Sequence, residues 1–304
     1  MNRKGFLQKM GIGAAGSVFA GRHSSLFNKK ASSSNLFFKV SLAEWSFHKS
    51  LFGGKMKNLD FPVIAREKFG IDAVEYVDQF FKDKAKDKTY LKALNKRAND
   101  HGVSNVQIMI DNEGQLGSTN TKKRKQAVEN HLKWVDAAAF LGCFAIRVNI
   151  YGKGSPQDIS KAAVESLSRL TEYAEPRGLD IMVENHGGYS SNGQWVANVM
   201  KQVNNPHCGT LPDPGNFSTK QKSYNRYKGV REMMPFAKDV SAKTYDFDSQ
   251  GNETTIDYHR FLKILKDADY KGYLGVEFET KGMPESEGVK KTLKLLNRIG
   301  SELS

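Results

Sequence analysis

The chain has 304 residues, 39% of them hydrophobic and 11% aromatic, with two cysteines and a formal net charge of +13. That length allows one large domain with a sizeable core, or two small ones, and an α/β barrel alone uses most of it. Disulfide stapling is excluded as the source of stability, since Cys143 and Cys208 stand at the starts of strands that are not expected to be neighbours.

The first thirty residues carry Arg3, Lys4, Lys9, Arg22, Lys29 and Lys30 and no acid, so nearly half of the charge excess lies there. The charged Asn2–Lys9 stretch is followed by a short apolar run, Met10 to Ala20, too short to span a bilayer. This order resembles a twin-arginine export signal with Lys4 in place of the second arginine. Ser17 to Ala20 offers small residues for cleavage, and the Ser/Asn/Lys-rich stretch to Asn35 reads as a disordered spacer. Residues 1–35 are therefore expected to be absent from a mature, periplasmic or otherwise exported protein with no stable membrane span. The other lysines, as in Lys82–Lys88 and Lys122–Lys125, sit among acids on helical segments. They read as solvated helix faces, and no nucleic-acid partner is expected.

From Leu36 onward, short runs rich in Val, Ile, Phe and Tyr alternate with longer segments whose apolar residues follow the helical period. Eight strands are expected: 38–47, 71–77, 103–110, 144–150, 180–185, 209–213, 239–247 and 273–279. The helices between them are apolar on one side, as with Val128, Leu132, Val135 and Ala139, with Ile159, Ala163, Leu167, Leu170 and Ala174, and with Val289, Leu293 and Leu296. Gly70, Gly102, Gly142, Gly178 and Gly272 fall where left-handed residues end the helices. Eight such units predict a single-domain α/β fold, a (β/α)8 TIM barrel over residues 36–304. An open dinucleotide-binding sheet lacks support, because no G-x-G-x-x-G follows the first strand.

In a barrel the chemistry gathers at the C-terminal ends of the strands. Those ends carry Glu44, Trp45 and His48, then Glu75 and Tyr76, Asp111, and Arg147, Asn149 and Tyr151. The later strands add Glu184 and His186, Asp213 and Asn216, Lys243, Tyr245 and Asp246, and Glu277 and Glu279. So many acids in one mouth repel each other unless a cation or protons neutralise them. Glu184, Asp213 and Glu277 are the best three for a divalent ion, with Mn2+ or Mg2+ ahead of Zn2+ for an oxygen-rich set.

The segments VENHGG, LPDPGNF, SAKTYDFD and GYLGVEFE, in that order, resemble the sugar phosphate isomerase/epimerase family with the xylose-isomerase-like TIM barrel. That superfamily also holds ketose 3-epimerases, inosose dehydratases and endonuclease IV repair enzymes. The resemblance covers nearly the whole chain after the leader. It implies a metal held by Glu184, Asp213 and Glu277, but the strand-seven histidine of His-x-Lys-Asp is here Ser241, followed by Ala242, Lys243 and Thr244. Water at that position, a swing of His186, or the charge of Lys243 are the three ways to complete such a site. The resemblance further implies proton transfer next to a carbonyl through a cation-stabilised enediolate. In that reading Glu184 and Glu277 are the acid/base pair, and Lys243 and His186 polarise substrate oxygens. Trp45, His48, Glu75, Asn149, Asn216 and Tyr245 bind a small carbohydrate. Two alternatives are a carbohydrate-binding barrel without catalysis and an endonuclease IV-type nuclease. The nuclease fits worse, since His101, His131 and His259 fall on helices and His207 precedes a strand.

Overall fold

The computed structural model describes residues 36–217 and 224–304; the expected leader, residues 1–35, lies outside the described residues. Eight parallel strands alternate with helices. They are β1 (Lys39–Ala43), β2 (Ala73–Val77), β3 (Ser104–Met109), β4 (Ala145–Asn149), β5 (Asp180–Glu184), β6 (Cys208–Leu211), β7 (Val240–Thr244) and β8 (Tyr273–Phe278). The helices are α1 (His48–Phe52), α2 (Phe61–Phe69), α3 (Lys88–Asp100), α4 (Thr121–Leu141), α5 (Pro156–Ala174), α6 (Gly193–Val203), α7 (Arg226–Met233), α8 (Tyr258–Asp267) and α9 (Glu285–Leu303).

The strand order is β6-β5-β4-β3-β2-β1-β8-β7, every pair parallel. The two outer strands approach through Lys238 N–H to Thr210 O (2.9 Å) and Ser241 N–H to Pro212 O (3.0 Å), so the barrel is nearly closed. This is a single (β/α)8 TIM barrel. β2, β4, β6 and β7 are buried along their whole length, as expected of strands enclosed by an outer ring of helices.

The main core lies between sheet and helices. The predicted face of α5 is fully buried there, from Ile159 to Ala174. Inside the barrel, Ala43, Val77 and Met109 form one apolar cluster and Ala145, Met182 and Leu211 another, leaving the rest of the lumen to polar side chains. The loops above the strands pass into helices through side-chain caps. Asn120, Ser155, Asn192, Asn225 and Asp257 each accept a hydrogen bond from the backbone N–H three residues on. Gly70, Gly102, Gly142 and Gly178 are left-handed as expected. Gly272 is not: Asp269 (φ 52°) takes that role, and Gly272 is needed because a Cβ there would lie 2.5 Å from the Tyr270 hydroxyl. Cys143 and Cys208 are free and buried. Among the described residues, no helix is long and apolar enough to cross a membrane.

Candidate active site

The ends of β4 to β8 bring the predicted acids together. Glu184 closes β5, Asp213 follows β6 by two residues, and Glu277 lies on β8 opposite Lys243 of β7. All four are almost completely buried. The Lys243 ammonium lies 2.6 Å from Glu277 Oε1, 3.1 Å from Glu279 Oε2 and 3.6 Å from Asp213 Oδ2. Burial works against its charge, but Glu277, Asp213 and Glu279 outweigh that and hold its proton well above the ordinary lysine range.

Each carboxylate oxygen of the three acids faces a donor of the protein. Asn216 Nδ2 donates to Glu184 Oε1 (2.8 Å) and Asp213 Oδ2 (3.1 Å), and Gly215 N–H donates to Asp213 Oδ1 (2.6 Å). Ser241 Oγ donates to Glu277 Oε2 (3.1 Å), Lys243 takes Glu277 Oε1, and Arg147 Nε lies 2.9 Å from Glu184 Oε2 as an ion pair without hydrogen-bond geometry. Arg147 Nη1 also donates to Asp111 Oδ1 (2.6 Å). Burial opposes the charge of Asp111, yet the guanidinium pulls its carboxyl down to about 2. Burial pushes Glu184 up to about 7 against the pull of Arg147, with Glu277 adding to the rise. Asp213 rises to about 7 in the same way, against Lys243.

His186 is partly buried, and its Nδ1 pairs with the Tyr151 hydroxyl. Burial and then Arg147 lower its pKa, so the ring is neutral near pH 7. Asn149 donates to Asp111 Oδ1 (2.9 Å), while its buried Oδ1 has no partner. Tyr245 crosses the loop after β6 closely: a Cβ on Gly215 would lie 2.5 Å from its hydroxyl and 2.6 Å from Lys243 Cγ.

Trp45 and His48 lie on the short helical turns after β1 rather than on the strand itself. Their rings stack at 4.9 Å, and His48 Nδ1 bonds Trp45 O (2.8 Å). Phe52 and Phe80 complete an aromatic wall, with Phe52 60% exposed. Neither phenylalanine was among the predicted site residues; the signal for Phe80 was its position just past the second strand.

The expected placement of two acids is corrected. Glu75 does not line the mouth. It is buried, bonded to Ser41 Oγ, and sits where a Cβ on Gly275 would come within 2.4 Å of its Oε1, so it belongs to the barrel interior. Glu44 also turns away, accepting from Asn58 Nδ2 (2.8 Å) and Val77 N–H (3.0 Å). The metal expectation meets a different arrangement. The acids converge, but no group of three or more His, Cys, Asp or Glu among the described residues is arranged to hold an ion. The donor set does not fit one: N–H and O–H hydrogens are directed at five of the six carboxylate oxygens, the sixth, Glu184 Oε2, faces the Arg147 guanidinium, and an ammonium carries the positive charge.

The histidines that a multinuclear zinc site needs are elsewhere. His131 is buried in α4, His101 caps α3, His207 pairs with Asp180 (2.8 Å) and His259 with Glu302 (2.7 Å).

A family profile described as xylose isomerase-like TIM barrel matches residues 64–299. A comparison with curated proteins gave no match. Among solved structures, the chain is similar to the IolI protein with a bound zinc atom, at TM-score 0.68 and 17% identity over 87% of this chain and 99% of that one. It is also similar to the 3-keto-D-glucoside 4-epimerase YcjR from E. coli (TM-score 0.63, 14% identity, 86% and 99% covered). A third is a sugar phosphate isomerase/epimerase from Parabacteroides distasonis (TM-score 0.63, 16% identity, 88% and 96% covered). Zinc and sugar epimerisation are properties of those proteins; identities this low establish a shared fold. With the profile spanning most of the barrel, from α2 into α9, the chain belongs to the xylose isomerase-like TIM barrel family.

Proposed function

We propose that the barrel mouth converts a small carbohydrate by moving a proton on the carbon next to a carbonyl, as an isomerase or epimerase does. The observation that carries this reading is the pairing of a buried acid poised near neutrality, Glu184, with a buried ammonium, Lys243, in one mouth. A base with a pKa close to the working pH is the most effective proton acceptor, and a fixed cation stabilises the charge that forms on the substrate oxygen.

Lys243 is held on three sides by carboxylates, of which Glu279 is the exposed one, its side chain 39% accessible. A substrate carbonyl or hydroxyl oxygen replaces Glu279 at the ammonium, leaving Glu277 and Asp213 as the inner partners. Glu184 then takes the proton from the adjacent carbon, and the electrons settle on the oxygen facing Lys243. In an isomerisation Glu184 returns that proton to the neighbouring carbon; in an epimerisation Glu277, on the strand across the lumen, relays a proton from solvent to the other face and Glu184 releases its own to solvent. The neutral His186, oriented by Tyr151, and the unpartnered Asn149 Oδ1 hydrogen-bond substrate hydroxyls. The Trp45/His48/Phe52/Phe80 wall covers the apolar C–H side of a sugar. The export-type leader favours neutral or keto sugars over phosphorylated ones.

Similarity to YcjR and to the Parabacteroides distasonis protein supports the substrate class. The test is deuterium incorporation: pooled keto and aldo sugars incubated with the protein in D2O gain carbon-bound deuterium. Glu184→Gln lowers that rate by about 100-fold or more, the usual contribution of a positioned base. A second reading, sugar binding without turnover, is favoured by the donors and cations of the protein that already face every carboxylate oxygen of Glu184, Asp213 and Glu277. Measurable sugar binding with no exchange establishes that reading instead.

A further inference from the structure

We propose that the Lys243 ammonium, held between Glu277, Glu279 and Asp213, is the permanent cation of this mouth and keeps a divalent ion out of it.

Three acids from β5, the loop after β6, and β8 converge with almost no exposure to solvent, an arrangement that costs a great deal unless positive charge enters it. Lys243 is 2% exposed, and its nitrogen reaches Glu277 at 2.6 Å and Asp213 at 3.6 Å. The chain is shaped to admit it. Gly215 passes so close that a Cβ there would meet Lys243 Cγ at 2.6 Å, so the lysine stem uses the space of a missing side chain. Ser241, two residues before Lys243 and on the same face of β7, brings a hydroxyl that donates to Glu277 Oε2 and so does not add a ligand nitrogen. Asn216 directs one amide N–H2 at both Glu184 and Asp213, so its hydrogens already take one oxygen of each. A protonated amine has no lone pair for ligation, and a second cation beside it in so buried a place is strongly repelled.

The experiment measures metal directly. The purified wild-type chain, exposed in turn to Mn2+, Mg2+ and Zn2+ and dialysed, holds well below one equivalent of metal by elemental analysis. Its melting temperature is the same in EDTA and in excess MnCl2. Lys243→Met removes the internal cation and leaves Asp213 and Glu277 without a charged partner, while Glu184 keeps Arg147. This variant melts lower in EDTA and regains about 5 °C or more in excess MnCl2, because an ion that binds only the folded form raises its stability by mass action. One equivalent of metal on the wild-type chain, or a wild-type melting temperature that rises with Mn2+ and falls in EDTA, overturns the proposal. So does a folded Lys243→Met variant that is indifferent to Mn2+. If that variant does not fold, the wild-type measurements still decide. None of these readings depends on turnover, so failure here is separable from failure of the isomerase assignment.

Discussion

At the scale of single residues, the account rests on where one lysine goes. A carboxylate such as Glu184, raised to about 7 mainly by burial, acts as a base only when it has lost its proton. The rate of carbon–hydrogen exchange therefore rises with pH through about 7 and levels off above it, and a pH–rate profile checks this. Because Asp213 is raised to about 7 beside it, the rise belongs to the cluster and not to one residue alone. Asn216 is the second residue to test. Asn216→Asp replaces a shared N–H2 donor with a third carboxylate against Glu184 and Asp213, and exchange falls sharply while Asn216→Ala falls less. Relative rates of the two variants at pH 8 provide the comparison. Glu184, Asp213 and Glu277 were legible because the VENHGG, LPDPGNF and GVEFE segments place acids at strand tips. Lys243 was legible too, as the charge that could stand in for the missing histidine, but its partners were not: nothing local says that its stem passes Gly215 and that its nitrogen settles between Glu277, Glu279 and Asp213.

Between elements, the decisive contacts are those in which a glycine makes room for a polar group from a strand far away in sequence. Gly275 on β8 accommodates Glu75 of β2, whose carboxyl would lie 2.4 Å from an added Cβ. Gly275→Ala is expected to destabilise the barrel by about 1–3 kcal/mol, the usual cost of overpacking. Gly282→Ala, with nothing within 4 Å, is expected to leave stability unchanged, and thermal or urea melts of the pair give the comparison. The same long-range dependence explains why Glu75 was misplaced from sequence. Its place near the end of the second strand suggested the mouth, but its depth is set by the bulge between Val74 and Glu75 and by Gly275, neither visible in the local run. Asn185 joins two other elements, donating to Asp213 O (2.8 Å) and accepting from Asp213 N–H (2.7 Å). It clamps the ends of β5 and β6 so that Glu184 and Asp213 stay side by side. The helical ring, in contrast, was readable almost throughout, since each amphipathic stripe buries locally against its own strand.

Across the whole molecule, several buried acids share one direction of shift. Burial raises Glu44 to about 8, and Glu75, Asp78, Glu184 and Asp213 to about 7, against partial relief from their hydrogen bonds and cations. The folded chain thus binds more protons than the unfolded chain between about pH 4.5 and 8. The stability these groups contribute is present below their unfolded pKa values and is lost as pH rises through 7 and 8. Melting temperature is expected to fall over that interval, and Glu44→Gln, which keeps the shape without the titration, to flatten the upper part of the fall. Fold and mouth belong together in this view: a closed barrel desolvates its acids, and the desolvated acids at the mouth acquire both a neutral-range base and a captive ammonium. The most direct test of that combination is carbon–deuterium exchange into a keto sugar followed by NMR in D2O containing EDTA. The account predicts exchange that persists in the chelator and is lost in Glu184→Gln. Exchange with no sugar, or exchange that Glu184→Gln leaves unchanged, contradicts it.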